Sequence, residues 1–420
     1  MHRRNGLRGM CAMYDRQELK ERAAKAANKK AAIGPDVDLG EFRRTPVEHH
    51  YLSDRDLRNV PAEDRERLIM SGVDVDENER IATYFQKDTS VVHCKSRQKD
   101  IQVIPIRQAL KECDWIRDYY WKLVSVDADK YTASAEMELH DGYVIRSLPG
   151  AKSEYPVQAC LYLDKEGIQQ NVHNIVIAEE DSELHIITGC STSPHLTKGL
   201  HVGVSEFYVK KNAKLSFTMI HNWAEDLVVR PRSVSRIEEG GLFLNNYICM
   251  KPVRSLQMYP TTFLTGEGAV ARYYSIIVGS PNSEYDVGGR IVLQKPGTRA
   301  EIVARSISNG GRIISRGHLI GEVPDIRAHL ECKGLILKGG MIYAVPELEG
   351  HVDGVEMSHE AAVGKIAQEE INYLMSRGLD EEEATSTIVR GFLNVDIPEL
   401  PSQLRAEIDR AIEMSGKDVM

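Results

Sequence analysis

The residues best suited to metal chemistry are gathered in one segment of this chain, residues 328–392. A thiol comes first, a carboxylate-rich stretch follows, and an imidazole next to a carboxylate comes last. These residues are Cys332, Glu347, Glu349, Asp353, Glu356, His359 and Glu360. Thiolate, imidazole and carboxylate are the groups with which proteins hold iron and related ions, so the segment is a candidate metal site.

Each of these residues also has an ordinary structural interpretation. Cys332, in a predicted strand, could be a small buried apolar residue. His359 could be a surface or core histidine, and Glu360 could simply favour the start of a helix through the helix dipole. Glu356 and Asp353 are candidates to hold or feed iron, or they form a solvated acidic face. Residue types alone leave these alternatives open.

The end of the segment resembles the C-terminal signature of the SufB/SufD iron-sulfur cluster assembly proteins. It contains S-H-E-A-A-V-G-K-I, then N-Y-L-M-S-R-G-L-D-E-E-E-A, then I-V-R-G-F. The resemblance extends over residues 80–415 or so. It implies a right-handed parallel β-helix that serves as a scaffold, not an enzyme, on which a transient iron-sulfur cluster is assembled for transfer to apo-proteins.

The resemblance also assigns roles to individual residues. Cys332 matches the cluster-ligating cysteine of the family. SufB-type chains resemble Glu-His-Glu at the next motif and SufD-type chains resemble Ser-His-Gly, the proposed ligands being the last Glu and the His. This chain has Ser358-His359-Glu360 and so carries both. We therefore expect a homodimer in which Cys332 and Glu360 of one copy face His359 of the other.

A second set of residues is a candidate for sulfur transfer. Cys190 matches the sulfur-accepting cysteine of bacterial SufB-type chains. His221-Asn222-Trp223 resembles the family's Gln-Asn-Trp, and the replacement of Gln by His weakens the expectation of a sulfur tunnel. The alternative is that Cys190 is a turn residue and that Trp223 only packs.

The chain lacks the means to hydrolyse ATP by itself. Gly364-Lys365 is followed by Ile and lacks the earlier glycine of a phosphate-binding loop. The family resemblance implies a separate SufC-like ABC-type ATPase, which we expect to dock on residues 365–415. The alternative is that these helices only cap the end of the solenoid.

Charge and composition exclude several other classes of protein. The net charge is −9 over 420 residues, and residues 1–34 carry nine Lys/Arg against three Asp/Glu, which leaves −15 for the remainder. An acidic body argues against nucleic-acid binding. The sequence contains no apolar run long enough for a membrane span or a signal peptide, so we predict a cytoplasmic protein. The seven cysteines form no C-x-x-C motif, so we predict that they are reduced thiols.

The elements that must position these residues divide the chain into four parts. We predict a basic arm at 1–45, a helical region at 46–125 with an amphipathic helix over 105–121, a β core at 126–357 and a helical tail from 358 to 420. In the tail, Gly378 predicts a helix stop, and Asp380 with Glu383 predicts a capping box. Leu404, with Ile408 and Ile412, predicts a last helix.

The β core could be a barrel, a propeller, a sandwich or a solenoid. Short strands alternate with turns from residue 126 onward, and the absence of a fixed repeat disfavours a propeller. A recurrent Ala-x-aliphatic pattern at Ala213, Ala300 and Ala328 favours solenoid coils. The family resemblance decides for the parallel β-helix.

Two other functions remain as alternatives. A β-helix carbohydrate-active enzyme is disfavoured, because such enzymes are commonly secreted and rich in exposed aromatic side chains, whereas Phe, Trp and Tyr make up 6% of this chain. A SufD-like structural partner without its own cluster is disfavoured by Cys332 and Glu360.

Overall fold

The computed structural model describes residues 16–51, 56–394, 405, 406 and 409. The fold is mainly β, with 46% strand and 18% helix, and it contains a β-solenoid of about eight turns with helices before and after it. The predicted fold class is confirmed. Residues 1–15 of the predicted basic arm, and most of the predicted last helix around Leu404, Ile408 and Ile412, lie outside the described residues.

Six helices are described. They are α1 (16–26), α2 (Ala62–Met70), α3 (Ile106–Glu112), α4 (Lys130–Met137), α5 (Gln368–Met375) and α6 (Glu381–Leu393). Short 3-10 turns occur at Leu39–Glu41, Asp56–Asn59 and Asp114–Asp118.

Twenty-one strands are described. They are β1 (Ala82–Lys87), β2 (Ser90–Ser96), β3 (Ile101–Pro105), β4 (Tyr143–Ser147), β5 (Val157–Leu163), β6 (Gln169–Ala178), β7 (Glu183–Thr192), β8 (Lys198–Val209), β9 (Lys214–Asn222), β10 (Asp226–Val229), β11 (Arg232–Ile237), β12 (Leu242–Cys249), β13 (Ser255–Met258), β14 (Thr261–Leu264), β15 (Val270–Gly279), β16 (Glu284–Leu293), β17 (Arg299–Ser308), β18 (Arg312–Gly321), β19 (Ile326–Ile336), β20 (Met341–Gly350) and β21 (Val355–Gly364).

The strands form two facing sheets. Sheet A has the order β2-β1-β5-β7-β9-β12-β15-β17-β19-β21, and sheet B contains the strands that alternate with them along the chain. Pairing within the coils is parallel; only β1–β2 and β3–β4 are antiparallel among the described pairs. Because side chains alternate across each strand, every second residue enters one continuous core between the sheets.

The predicted helical region at 46–125 is only partly helical. It contains α2 and α3, but also β1, β2 and β3, and β1 extends sheet A by pairing in parallel with β5. A solenoid needs its first edge covered, and these strands provide the cover. The helix predicted over 105–121 ends at Glu112, because Cys113 is extended (φ −111°, ψ 104°), and continues only as a 3-10 turn.

The prediction that His359 and Glu360 open a helical tail is wrong. Both residues lie in β21, which pairs with β19 without a break from Val355 to Gly364, and the first tail helix begins at Gln368. The Ala-rich sequence has good helix propensity, but a preformed strand edge offers a complete backbone ladder, and tertiary context overrides propensity.

The stop of the first tail helix and the start of the second are as predicted. Gly378 has φ +100°, a left-handed conformation suited to glycine after a helix. The Asp380 carboxylate accepts a hydrogen bond from the Glu383 backbone N–H (2.8 Å), and the Glu383 carboxylate accepts one from the Asp380 backbone N–H (3.0 Å), so the capping box is confirmed. Helix α6 buries Val389 and Leu393 against the outer face of sheet A.

The C-terminal end of the solenoid is open. Strands β20 and β21 form the last coil, and in the described part of the chain no further strand pairs with either. The interior is therefore uncovered at this end: Leu348, on the core-facing side of β20, is 36% exposed, and Val363 of β21 is 41% exposed.

Candidate functional site

Cys332 lies in β19 with its thiol in the core between the sheets. It is 2% exposed and is paired in register with Ala304 on one side and Ala361 on the other. Burial raises the pKa of the thiol, and a hydrogen bond with Ser315 of the opposite sheet works against that increase. Ser315 had no signal in the sequence, because its contact with Cys332 crosses between sheets.

His359 and Glu360 lie on opposite faces of β21. His359 is paired with Leu330, an interior residue, so it shares the interior side with Cys332 and stands at the open end of the solenoid. Glu360 is paired with Glu331 on the outer side, where it accepts a salt bridge from Lys333 (3.1 Å). Within one chain, the fold brings Cys332 and His359 to one side and leaves Glu360 on the other.

A charged ladder on the outside of sheet A connects Glu360 to the tail helices. Lys333 pairs with both Glu360 and Glu331 (2.8 Å), and Glu331 pairs with Arg305. The Arg305 guanidinium lies over the Phe392 ring of α6, 5.8 Å from its centre. The sequence did not reveal this ladder, because its members come from three strands and a helix.

Replacing Glu331 with Gln is expected to give a pH-dependent loss of stability. Burial raises the pKa of Glu331, but hydrogen bonds from Lys333 and Arg305 outweigh burial and leave the pKa lowered. A lowered folded pKa stabilises the protein above the unfolded value of about 4.3, and this stabilisation is lost as the pH falls through the folded value. We expect the variant to be less stable by about 1–2 kcal/mol at pH 7.

The measurement is urea unfolding at pH 7 and again at progressively lower pH, where the difference should shrink. A suitable control is Glu356→Gln. Glu356 pairs with Arg327 at 2.9 Å, but both side chains are about 70% exposed, and exposed pairs contribute little. A pH-independent difference for the Glu331 variant would contradict the prediction.

The other predicted iron ligands are exposed and dispersed. Glu356 faces outward, and Asp353 lies in the turn before β21. Glu349 of β20 lies between two imidazoles, His318 (2.8 Å) and His351 (3.3 Å), and these contacts lower its pKa, the contact with His351 most. Across the described residues, no three His, Cys, Asp or Glu side chains come together as a metal-binding group. The described part of one chain therefore does not supply a full ligand set.

The candidate residues for sulfur transfer lie close together inside the N-terminal half of the solenoid. Cys190 is fully buried and paired in register with His221. The His221 ring contacts Trp223 at 5.4 Å between centres, and its Nδ1 is 2.9 Å from the Tyr247 hydroxyl. Burial raises the pKa of Cys190 and lowers that of His221 well below its usual value. Cys249 is paired with His221 on its other side and was not predicted as part of this cluster.

An interior cavity of about 60 Å³ lies between the two cysteine sites. Its lining includes Tyr247, which bonds to His221, and Ser315, which bonds to Cys332. Between Tyr247 and Ser315, the cavity is lined by Met219, Ser275 and Ala304. A space of this size accommodates a few water-sized species.

Comparison with known proteins decides the family. The family model described as "SUF system FeS cluster assembly, SufBD core domain" matches residues 161–392. The chain belongs to the SufBD family. The matched residues include β19, β21, α5 and all of α6 except its last residue, so the site described above lies within the family's core domain.

Several curated SufBD relatives align over most of this chain. An iron-sulfur cluster assembly SufBD family protein of Methanothermobacter thermautotrophicus is 49% identical over 404 residues, 94% of this chain and 98% of that protein. One of Archaeoglobus fulgidus is 51% identical, covering 85% and 96%. The iron-sulfur cluster assembly protein SufB of Bacillus subtilis is 30% identical, covering 87% and 81%. The predicted SufB/SufD resemblance is confirmed.

The described helices offer no candidate membrane span, since none of them combines the necessary length with the necessary apolar character.

Proposed function

We propose that this SufBD protein is the scaffold on which iron and sulfide are assembled into a labile iron-sulfur cluster. The observation that carries the proposal is the placement of Cys332 and His359 on the interior side of the last two coils, at the open end of the solenoid. A thiolate and an imidazole are suitable ligands for the iron of a cluster. The cluster is cargo, so a ligand set with few thiolates, which includes the exposed His359, favours its release.

A homodimer would complete the ligand set. The described residues of one chain present too few ligands in one place. Among the same residues, the open end of the solenoid exposes apolar side chains and two unpaired strand edges. A two-fold axis at this end would let both copies cover these edges with the same surface. Cys332 of one copy would then face His359 of the other, and Glu360 would join them only if the dimer brings the outer face of β21 into the site.

Sulfur would reach Cys332 through the interior of the solenoid. Cys190 is the candidate acceptor, with His221 and Trp223 beside it, and the cavity between Tyr247 and Ser315 supports a route from one cysteine to the other. The side chains that line the cavity are neutral except for Arg316, and a mostly neutral lining suits the passage of a sulfur species.

A SufC-like ABC-type ATPase would dock on the tail helices and drive assembly. Tyr373 and Met375 of α5 are 58% and 41% exposed, which suits a partner surface. Helix α6 contacts Arg305 through Phe392, and Arg305 is the first member of the ladder that ends at Glu360. A movement of the helices would therefore change the ion pairs on β19 and β21. We place this work in the cytoplasm, where free thiols remain reduced.

The test is anaerobic purification of the chain with its ATPase, followed by supply of iron(II) and sulfide. We expect brown colour, stoichiometric iron and sulfide per dimer, and transfer of the cluster to an apo-ferredoxin. A preparation that binds no iron while the chain remains folded, or that needs a second SufB-like chain to do so, would contradict the proposal and favour a purely structural role.

A further inference from the structure

Ser315 faces Cys332 across the interior of the solenoid. Ser315 belongs to β18 of sheet B, and Cys332 belongs to β19 of sheet A, the next strand along the chain. The two strands run in opposite directions from their connecting turn. One pair nearer that turn, a side chain at Gly317 would collide with Leu330. Because every second residue of each strand points inward, Ser315 and Cys332 form the adjacent interior pair.

The hydroxyl of Ser315 and the thiol of Cys332 lie in an apolar part of the interior. Ser315 is 4% exposed and Cys332 is 2% exposed, and the two groups are hydrogen-bonded to each other. A thiol is a weak hydrogen-bonding partner. Replacing both members of a buried pair by apolar groups is often nearly neutral for stability, so packing alone does not explain a hydroxyl at this position.

Alanine side chains lie between this pair and the open end of the solenoid. In the last coil, Ala361 is in register with Cys332 and is exposed, and Ala344 is in register with Ser315 and is half-buried. On the inner side, Ser315 and Ala304 both line the interior cavity. The layer above the sulfur therefore consists of methyl groups, which obstruct an approaching ion less than larger side chains would.

We propose that Ser315 is a positioning residue of the cluster site, and that its hydroxyl donates a hydrogen bond to the Cys332 sulfur when that sulfur holds iron. The inference rests on the proposed scaffold function and adds to it a residue that lies outside the ligand motif. Ser315 does not itself hold iron. It fixes the direction of the Cys332 side chain, so that the thiolate is presented toward the open end, where His359 lies.

The hydroxyl suits both the free thiol and the thiolate. A serine hydroxyl is a donor and an acceptor, and it rotates to match its partner. When iron(II) replaces the thiol proton, which leaves to solvent, the sulfur becomes an acceptor only and the hydroxyl donates to it. Hydrogen bonds to the sulfurs help to set the reduction potential of iron-sulfur clusters. Partners of metal ligands typically change metal affinity by about 10–100-fold.

The experiment replaces Ser315 in the full chain and measures iron and sulfide after anaerobic reconstitution. We expect Ser315→Ala to retain about tenfold less iron than wild type, because the thiolate loses the partner that orients it. The cluster that this variant does retain should have a lower reduction potential, since the donor that stabilised the added negative charge is gone. Ser315→Thr keeps the hydroxyl, and the adjoining cavity has room for its methyl group, so it should restore both values.

Ser235→Ala is the matched control. Ser235 is a buried serine of β11 in the same sheet, 1% exposed, and its hydroxyl is hydrogen-bonded to Tyr273. Strands β14 and β16 separate β11 from β18, so this variant loses a comparable hydrogen bond away from Cys332. Both alanine variants should lose similar stability in urea, but only Ser315→Ala should lose iron. Equal iron and equal potentials in wild type and Ser315→Ala would overturn the proposal, as would equal iron losses in the two alanine variants.

A second measurement needs no cluster. In the apo chain, Raman spectroscopy identifies the S–H stretching band of Cys332 as the band that Cys332→Ser removes. We expect this band to shift in Ser315→Ala and to keep its position in Ser315→Thr and Ser235→Ala. An unshifted band in Ser315→Ala would mean that the hydroxyl does not engage the sulfur, and the proposal would fail although the scaffold function stood. A wild-type chain that binds no iron, even with the band shifted in Ser315→Ala, would contradict the scaffold function itself and with it this role of Ser315.

Discussion

Replacing Cys332 with serine is expected to lower the iron retained after anaerobic reconstitution by more than about tenfold, since even changes around metal ligands cost 10–100-fold in affinity. The substitution removes the one thiolate at the site and replaces it with a harder oxygen donor that suits iron and sulfide poorly. Serine is close in size to cysteine and has Ser315 as a hydrogen-bond partner, so the fold should persist. The measurement is iron and sulfide per chain, with the visible absorbance.

Cys160→Ser provides the matched control. Cys160 is as buried as Cys332, at 1% exposed, but it lies on the outer face of sheet A beneath α2, where it packs with Leu68, Phe85 and Tyr162. Its loss should leave the bound iron unchanged. Full cluster absorbance in the Cys332 variant, or an equal loss in both variants, would remove the assignment of Cys332 as ligand.

A charge at the open end of the solenoid is expected to separate the proposed homodimer. Val363→Asp places a carboxylate on a 41% exposed apolar position of β21, and a two-fold axis would bury it twice. Burying unpaired charges costs several kcal/mol, so we expect the dimer dissociation constant to rise by more than about hundredfold. Analytical ultracentrifugation gives the constant, and iron binding should fall with the dimer.

Met137→Asp is the control for that substitution. Met137 is an exposed apolar residue of α4, at 46%, and α4 packs on β6 and β8. Its change should leave the homodimer intact. A wild-type chain that remains monomeric at micromolar concentration in the presence of the proposed ATPase would contradict the shared site.

Mixing two inactive variants tests the shared site directly. A heterodimer of Cys332→Ser and His359→Ala chains contains one pair in which both ligands are intact, if the pair is formed across the axis. Such a mixture should recover part of the cluster, whereas two copies of either variant should not. Absence of recovery despite a confirmed heterodimer would place both ligands in the same chain.

The sequence alone was sufficient for the fold class and the family. Short alternating strands without a fixed repeat narrowed the β core to a few architectures, and the C-terminal motif decided among them. The tail helices were also predictable, because the stop at Gly378 and the cap at Asp380 depend on neighbouring residues only. Helix stops and caps of this kind are determined by residues that lie within a few positions of one another in the chain.

Errors arose where a distant strand determined the local structure. The segment around His359 has the composition of a helix but forms β21, because β19 supplies a backbone ladder that begins nearly 30 residues earlier. The strands β1 to β3 were predicted as helix for the same reason: β5, far along the chain, fixes β1. The intrinsic helix and strand propensities of a segment carry no information about such long-range pairings.

The types of ligand could be named from the sequence, but their arrangement could not. Cys332, His359 and Glu360 were identified from their motif, whereas the separation of Glu360 from the other two depends on which residue of β21 stands opposite Leu330. A shift of one residue in this pairing would move every side chain of β21 to the opposite face of the sheet. The cavity between Tyr247 and Ser315 likewise exists only once the coils stack in register, because it is lined by residues that only non-local pairing brings together.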